Sequence, residues 1–377
     1  MIRKLYRNYN IPLLLIILTI SFFGLIFVYS ASSEASIIFR ADLESDYFLK
    51  RQFMIMLAGI AFMLLLSLFP YQLLKKGQFV LLILFIVFIM LFATLLFADE
   101  QNGATSWLFG LQPSEFVKLA IIIYMAAVIT NKQSKINNLV ESFAAPALVC
   151  IFVFLLIYFQ NDLGTAALIA LIAMALTICS GTKIIKLLLI LLGIGVGSSF
   201  ILFHTISDVQ RNRIVSFTEN PFDDPLGSGL QLSSSFMALG NGGVEGLGLG
   251  ASIQKTNGYL PEAYTDFILA VIAEETGVFG VTLVFLLLLS IISIGFYTAW
   301  RCKDAFGSLL AVGISCMIGF QALVNLGGLS QRIPLTGVPL PFISYGGSSL
   351  LVCLIGAGIL LNISLQNRMA LDKKRNG

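Results

Sequence analysis

Apolar runs close to twenty residues long, separated by short clusters of charge, recur ten times along the chain, at 11–30, 53–69, 78–98, 115–130, 142–159, 163–180, 184–205, 267–299, 306–328 and 347–366. A helix needs about 20 mostly apolar residues to cross the hydrocarbon of a bilayer. The pattern therefore predicts an all-α integral membrane protein with ten transmembrane helices, folded as a single polytopic domain over 1–377. The eighth run is longer than a span needs and carries Glu274, Glu275 and Gly277. Its first part is expected to be an extracytoplasmic half-helix leading into the membrane, with the span proper at about 278–299.

Composition agrees with that reading. At 58% hydrophobic and 11% charged residues, with a mean hydropathy of +0.93, the chain has too few polar residues to coat a soluble globule of 377 residues. Short basic loops stay on the cytoplasmic side. With the N-terminus inside, 15 of the 23 Lys and Arg fall in inside segments and seven outside, while Lys118 lies within the fourth run. Both termini are thus expected in the cytoplasm, and the net charge of +3 is a topology signal rather than a sign of nucleic-acid binding. The first apolar run follows Arg3, Lys4 and Arg7 but is span-length and lacks an Ala-x-Ala-like exit, so it reads as an uncleaved anchor. The five cysteines show no CxxC spacing, and neither a disulfide nor a zinc site is expected.

The longest stretch between apolar runs, 206–266, lies outside between the seventh and eighth spans and is expected to contain short half-helices. It holds eight glycines between Gly227 and Gly250, a density that allows tight turns or close backbone approach. The Gly-x-Gly-x-Gly at 246–250 has the wrong spacing and no βαβ context for a nucleotide site. A flexible linker is the plainer reading, but the loop also carries Arg211, Arg213, Gln231, Lys255, Glu262 and Asp266. Asp266 stands where the loop re-enters apolar sequence. It is either a helix N-cap or a carboxylate at the water–lipid boundary able to act as a base.

Ionisable residues inside a membrane are costly and become functional candidates. Pro113 suits the first position of the fourth span. Glu115 and Lys118, three apart, share a helix face and are expected to pair, either as a structural lock or facing a polar cavity. Asp162 sits in a polar cluster, Gln160 to Thr165, at the outer mouth between spans five and six. The last outside loop, 329–346, offers Arg332, three prolines that pin an extended backbone, and Ser344 ahead of Tyr345-Gly346-Gly347. Arg332 suits a phosphate or a membrane anchor. His204 is the only histidine, so no Ser-His-Asp triad is available.

Several of these segments, in order, resemble the SEDS proteins (shape, elongation, division and sporulation), represented by FtsW, RodA and SpoVE. The resemblance rests on Asn102-Gly103-Ala104 with Trp107, QPSEFVKL at 112–119, DLGT at 162–165, RIVSF followed by Asn220-Pro221, the glycine-rich stretch, YLPEAYTDFILAVIAEETG at 259–277 and PLTGVPLPFISYGGSS at 334–349. Tyr264 stands where histidine is common, Asn161 where proline is usual, and Ser106 where many members carry arginine. The LPEA prefix and the Gln254-Lys255 pair lie closer to the FtsW branch than to RodA.

The resemblance implies a peptidoglycan glycosyltransferase of the bacterial plasma membrane that polymerises lipid II for division, elongation or sporulation. Asp266 would be its essential carboxylate and 206–266 its catalytic loop. Arg211, Arg213, Lys255 and Arg332 would steady the pyrophosphate, with Glu262, Gln231 and Ser344 as further substrate contacts. Glu115, Lys118 and Asp162 would line the intramembrane cavity. No organic cofactor is implied, although a divalent cation, Mg or Mn, can assist. The implied partner is a class B penicillin-binding protein, with other divisome or elongasome membrane proteins. The rival readings are a lipid II flippase and a divisome scaffold without catalysis.

Overall fold

The computed structural model describes residues 8–39, 45–98, 105–133, 139–181, 217–224, 229–256, 259–260 and 263–375. Within them the chain is helical: α1 (Ile11–Phe39), α2 (Tyr47–Leu68), α3 (Gly77–Phe97), α4 (Pro113–Asn131), α5 (Leu139–Tyr158), α6 (Leu163–Cys179), α7 (Leu230–Gly242), α8 (Ile253–Thr256), α9 (Ile268–Arg301), α10 (Ala305–Leu329) and α11 (Gly347–Arg375). A 3-10 turn, Tyr71–Lys75, joins α2 to α3. Nine of the ten expected spans coincide with these helices, and the tenth, 184–205, lies outside the described residues.

Among the described residues seven helices are long and apolar enough to cross a bilayer, and the chain is a multi-pass membrane protein. The fifth expected span appears as α5 (Leu139–Tyr158), 20 residues long, and the sixth as α6 (Leu163–Cys179), which stops one residue short of the expected 163–180. In α6 the physical cause is a firm stop at each end. Asp162 caps the start through Thr165 N–H, 3.1 Å from Oδ1, and Gly181 ends the segment at φ +85°. At 1.5 Å per residue its 17 residues reach about 26 Å, slightly less than the hydrocarbon.

Burial separates the helices into a centre and a rim. In their most apolar stretches α4 and α11 are 83% and 89% buried, whereas α2, α3 and α9 are 28% buried. The rim exposes large apolar side chains such as Leu81, Phe85, Leu96 and Phe97, the surface of a protein whose solvent is lipid. The polar motifs sit on the central helices, where only protein can satisfy them.

The helix break expected near 277 is present. Gly277 adopts φ +63°, ψ −156° and divides α9 into a first part buried from Ile268 to Glu275 and a second part open to lipid. The break frees helix carbonyls that need donors. Leu247 N–H bonds Glu274 O and Gly248 N–H bonds Glu275 O, both at 2.9 Å, and Val278 N–H reaches Gly243 O at 3.2 Å. A β-carbon on Gly242, Gly246 or Gly277 would collide with the opposing backbone. The glycine density therefore serves close packing against a broken helix. Gly277→Ala is expected to cost about 1–3 kcal/mol from the backbone conformation alone, with the collision against Val244 O added. Thermal melting in detergent measures it.

Candidate active site

An extended strap, residues 334–346, follows α10 and gathers motifs that are far apart in sequence. It crosses the first turn of α6 where Gly164 leaves room, since a β-carbon there would stand 2.6 Å from Thr336 O and 2.8 Å from Val338 Cγ2. Gly24 of α1 plays the same part for the turn at Phe342 and Ile343. Asp162, besides capping α6, accepts from Gln112 Nε2 at 3.0 Å and from Ser114 Oγ at 3.1 Å. Gln112 N–H in turn donates to Ser348 Oγ at 2.8 Å. The QPSE, DLGT and Ser-Tyr-Gly-Gly-Ser segments thus form one assembly, and Asp162 acts in it as cap and tie.

Asp266 lies beside this strap. It is half-buried, in the turn that leads into α9, and Phe267 rather than Asp266 occupies the N-cap position. A β-carbon on Gly337, at φ +69°, would be 3.5 Å from Asp266 Oδ2, so the carboxylate faces the exposed glycine of the strap. Asn325 fixes both: its Nδ2 donates to Asp266 O and to Val338 O, each at 2.9 Å. One turn earlier on α10, Gln321 Nε2 donates to Pro339 O at 2.9 Å and to Ser349 Oγ at 2.8 Å. The sequence reading missed Gln321 and Asn325. Their spacing of four residues on an otherwise apolar helix was the available signal.

The same Gln321 joins the buried ion pair. Lys118 Nζ is 2.7 Å from Glu115 Oε2, with both side chains almost fully buried, and it donates to Gln321 Oε1 at 2.8 Å. The expected pairing is present, and it connects through Gln321 to the strap. At the far end of the strap Ser344 Oγ accepts from Leu340 N–H at 2.8 Å, and Gln52 Nε2 donates to Ser344 O at 3.2 Å. Buried and bonded in this way, Ser344 closes the strap's own turn. Tyr264 packs with Phe48 and Tyr345, with ring centroids 4.6 to 5.6 Å apart, and its carbonyl accepts from Tyr345 N–H at 2.8 Å. An aromatic ring two residues before Asp266 is thereby built into the wall.

A second buried knot lies below the glycine-rich loop. Lys255 Nζ meets Glu275 Oε1 at 2.6 Å, Ser30 Oγ at 2.8 Å and Ser30 O at 3.1 Å. An ammonium has three donors, and these partners use them all. Lys255 is buried and ties the loop to α1 and α9. Glu274, also fully buried, accepts from Asn241 Nδ2 at 3.0 Å and Ser252 Oγ at 2.5 Å. Lys255→Met is expected to lower stability by about 2–3 kcal/mol, because a charged hydrogen-bonded group loses its partner while Ser30 Oγ remains on Glu275. Limited proteolysis within 243–256, compared with wild type, reads the loosened loop.

Of the other expected site residues, Arg332 is exposed just ahead of the strap. The five-residue interval to Gly337 bounds its backbone separation at about 18 Å. Gln231 is half-buried on α7. Arg211, Arg213 and Glu262 lie outside the described residues. Among the described residues no three His, Cys, Asp or Glu side chains cluster as metal ligands would.

A multi-pass helical protein with a carboxylate held against an extended strap is the class that fold and site define. The chain belongs to the FtsW/RodA/SpoVE family, described as "Cell cycle protein", whose pattern matches residues 11–369. It is 43% identical over 388 residues to the "Probable peptidoglycan glycosyltransferase FtsW" of Bacillus subtilis, covering 100% of this chain and 95% of that protein. To "Stage V sporulation protein E" of the same organism it is 38% identical, covering 94% and 97%. Among solved structures it is similar to a chain described under "Structural coordination of polymerization and crosslinking by a peptidoglycan synthase complex", with a TM-score of 0.75, 25% identity, and coverage of 95% and 98%. The Thermus thermophilus rod shape determining protein RodA shares the fold, with a TM-score of 0.67, 24% identity, and coverage of 94% and 96%.

Proposed function

We propose that this chain is a peptidoglycan glycosyltransferase that polymerises lipid II into β-1,4 glycan strands at the outer face of the bacterial plasma membrane. The observation that carries the reading is Asp266, half-buried at the head of a broken helix with its carboxylate over Gly337 and its backbone held by Asn325. In this reading the protein has ten spans, both termini are cytoplasmic, and residues 206–266 form the catalytic loop.

Asp266 acts as general base. It takes the proton from the acceptor GlcNAc 4-hydroxyl as that oxygen bonds to C1 of the donor MurNAc, and the bond from C1 to the pyrophosphate oxygen breaks with inversion. Undecaprenyl pyrophosphate leaves as an anion. Arg332, exposed beside the strap, and Arg211 and Arg213 are the cations proposed to receive it. Glu262 and Gln231 are proposed sugar contacts, and Lys255 supports the site by holding the loop. Glu115 and Lys118, buried against Gln321, are proposed to brace the strap beside the path of the polyprenyl tail. A magnesium or manganese ion often takes one or two carboxylates together with substrate phosphates. Where such an ion assists, it would sit on the substrate pyrophosphate and supply charge neutralisation, leaving proton transfer to Asp266. A class B penicillin-binding protein is the proposed partner, within a divisome or elongasome assembly.

The broken α9 favours one second reading, a lipid II flippase, since discontinuous helices mark transporters. Reconstituting the protein and its candidate partner with purified lipid II separates the two. Glycan strands on a gel are expected for the transferase; lipid II translocation across liposomes without polymer would instead establish the flippase.

A further inference from the structure

Away from the strap, the loop surface between α7 and α8 carries a run of exposed apolar side chains. α7 buries Ser233, Ser234 and Ser235 together with Leu232 and Ala238, and exposes Met237 and Leu239. Beyond it Val244, Leu247 and Leu249 project at 62%, 42% and 67% exposure, followed by Ile253. A segment bathed in water places its polar side chains outward and its apolar ones inward. The buried serines are satisfied internally, with Ser234 Oγ donating to Tyr259 O at 2.9 Å and Ser235 Oγ to Leu232 O at 2.8 Å.

Two further observations identify the medium on the other side. The apex is joined to Val278 N–H through Gly243 O, which sets it beside Val278 and Phe279, 56% and 69% exposed. Those residues open the lipid-facing side of α9, so the apolar surface of the apex continues the surface that meets the bilayer. The apex also turns part of its backbone toward the protein, which lowers the cost of leaving water. The N–H groups of Gly246, Leu247 and Gly248 are bonded to Gly242 O, Glu274 O and Glu275 O at 2.8 to 2.9 Å. Glu245 is the one charged residue between Met237 and Ile253.

We infer that the apex at 243–249 dips into the adjoining leaflet, with Val244, Leu247 and Leu249 reaching the acyl chains and Glu245 held at the headgroup level, so that bilayer lipid is the occupant of its apolar face. The loop is then anchored in the membrane as well as by the buried Glu274 and Glu275, and its depth relative to the head of α9 is fixed.

The test uses the full-length protein in nanodiscs, in a background with Trp107→Phe and Trp300→Phe. One tryptophan at a time is placed at Leu249, at Val244, at Phe279 as the lipid-facing reference, and at Asp223 as the water-facing reference. Quenching by brominated phosphatidylcholine is compared with quenching by aqueous acrylamide. The expected result is that Leu249→Trp and Val244→Trp match Phe279→Trp, with severalfold stronger bromine quenching and severalfold weaker acrylamide quenching than Asp223→Trp. Acrylamide quenching equal to that of Asp223→Trp overturns the inference. Shielding from both quenchers also overturns it, since protein would then cover the apex. Reproduction of the Phe279 reference shows that the background is folded.

Discussion

Replacing Asp266 with asparagine is expected to reduce glycan synthesis from lipid II by about a hundredfold or more, the contribution typical of a positioned general base. The asparagine side chain keeps the size and much of the polarity of the carboxylate but cannot take the acceptor proton. The tie from Asn325 runs to the backbone oxygen of residue 266 and so survives the substitution. Phe267, not Asp266, sits in the cap position of α9, so no cap is lost. Melting temperature in detergent is therefore expected to stay close to wild type while polymer disappears. Asp266→Ala is expected to lose polymer as well. Asp266→Glu pushes the carboxylate toward a strap whose Gly337 leaves little more than van der Waals space, and a partial loss is expected. Normal polymerisation by the asparagine variant would remove Asp266 from the mechanism, and loss of activity together with loss of the folded state would make it a structural residue.

Much of this architecture was legible because a membrane imposes its own length and polarity on a sequence. The apolar runs gave the helices, Pro113 marked the start of α4, and Gly277 among carboxylates marked the break in α9. The Glu115–Lys118 pair followed from helical spacing alone. What spacing could not give was the long-range use of polar groups. Lys255 reads as a loop cation, and nothing beside it in the sequence names Glu275 and Ser30 as its partners. Nothing around Ser344 in the sequence shows that its hydroxyl closes the strap's turn. Asn325 and Gln321 drew no notice because an amide in an apolar helix carries no charge signal, yet they hold the two strap carbonyls next to Gly337. The glycine density of the loop predicts a close backbone approach without naming the partner, which is the set of carbonyls freed at the break in α9.

Lys118→Met carries the largest expected effect on stability. It leaves Glu115, 1% exposed, as an uncompensated buried charge, and breaking such a pair costs about 3–5 kcal/mol. It also removes the donor to Gln321 Oε1, so the amide that holds Pro339 O and Ser349 Oγ loses its orientation. Detergent melting is expected to fall sharply and polymer synthesis with it. Adding Glu115→Met to Lys118→Met removes the orphaned charge, and apolar replacements of a buried pair are often neutral or stabilising. The double variant is therefore expected to recover stability. Its activity then decides what the pair is for. Recovery of both would make Glu115 and Lys118 a lock between α4 and α10 that any well-packed contact can replace. Recovery of stability without polymer would place the pair's charge in the working cavity, acting through Gln321 on the strap or on the lipid substrate itself, and this is the outcome expected from a network that runs unbroken from Glu115 to the carbonyl of Pro339.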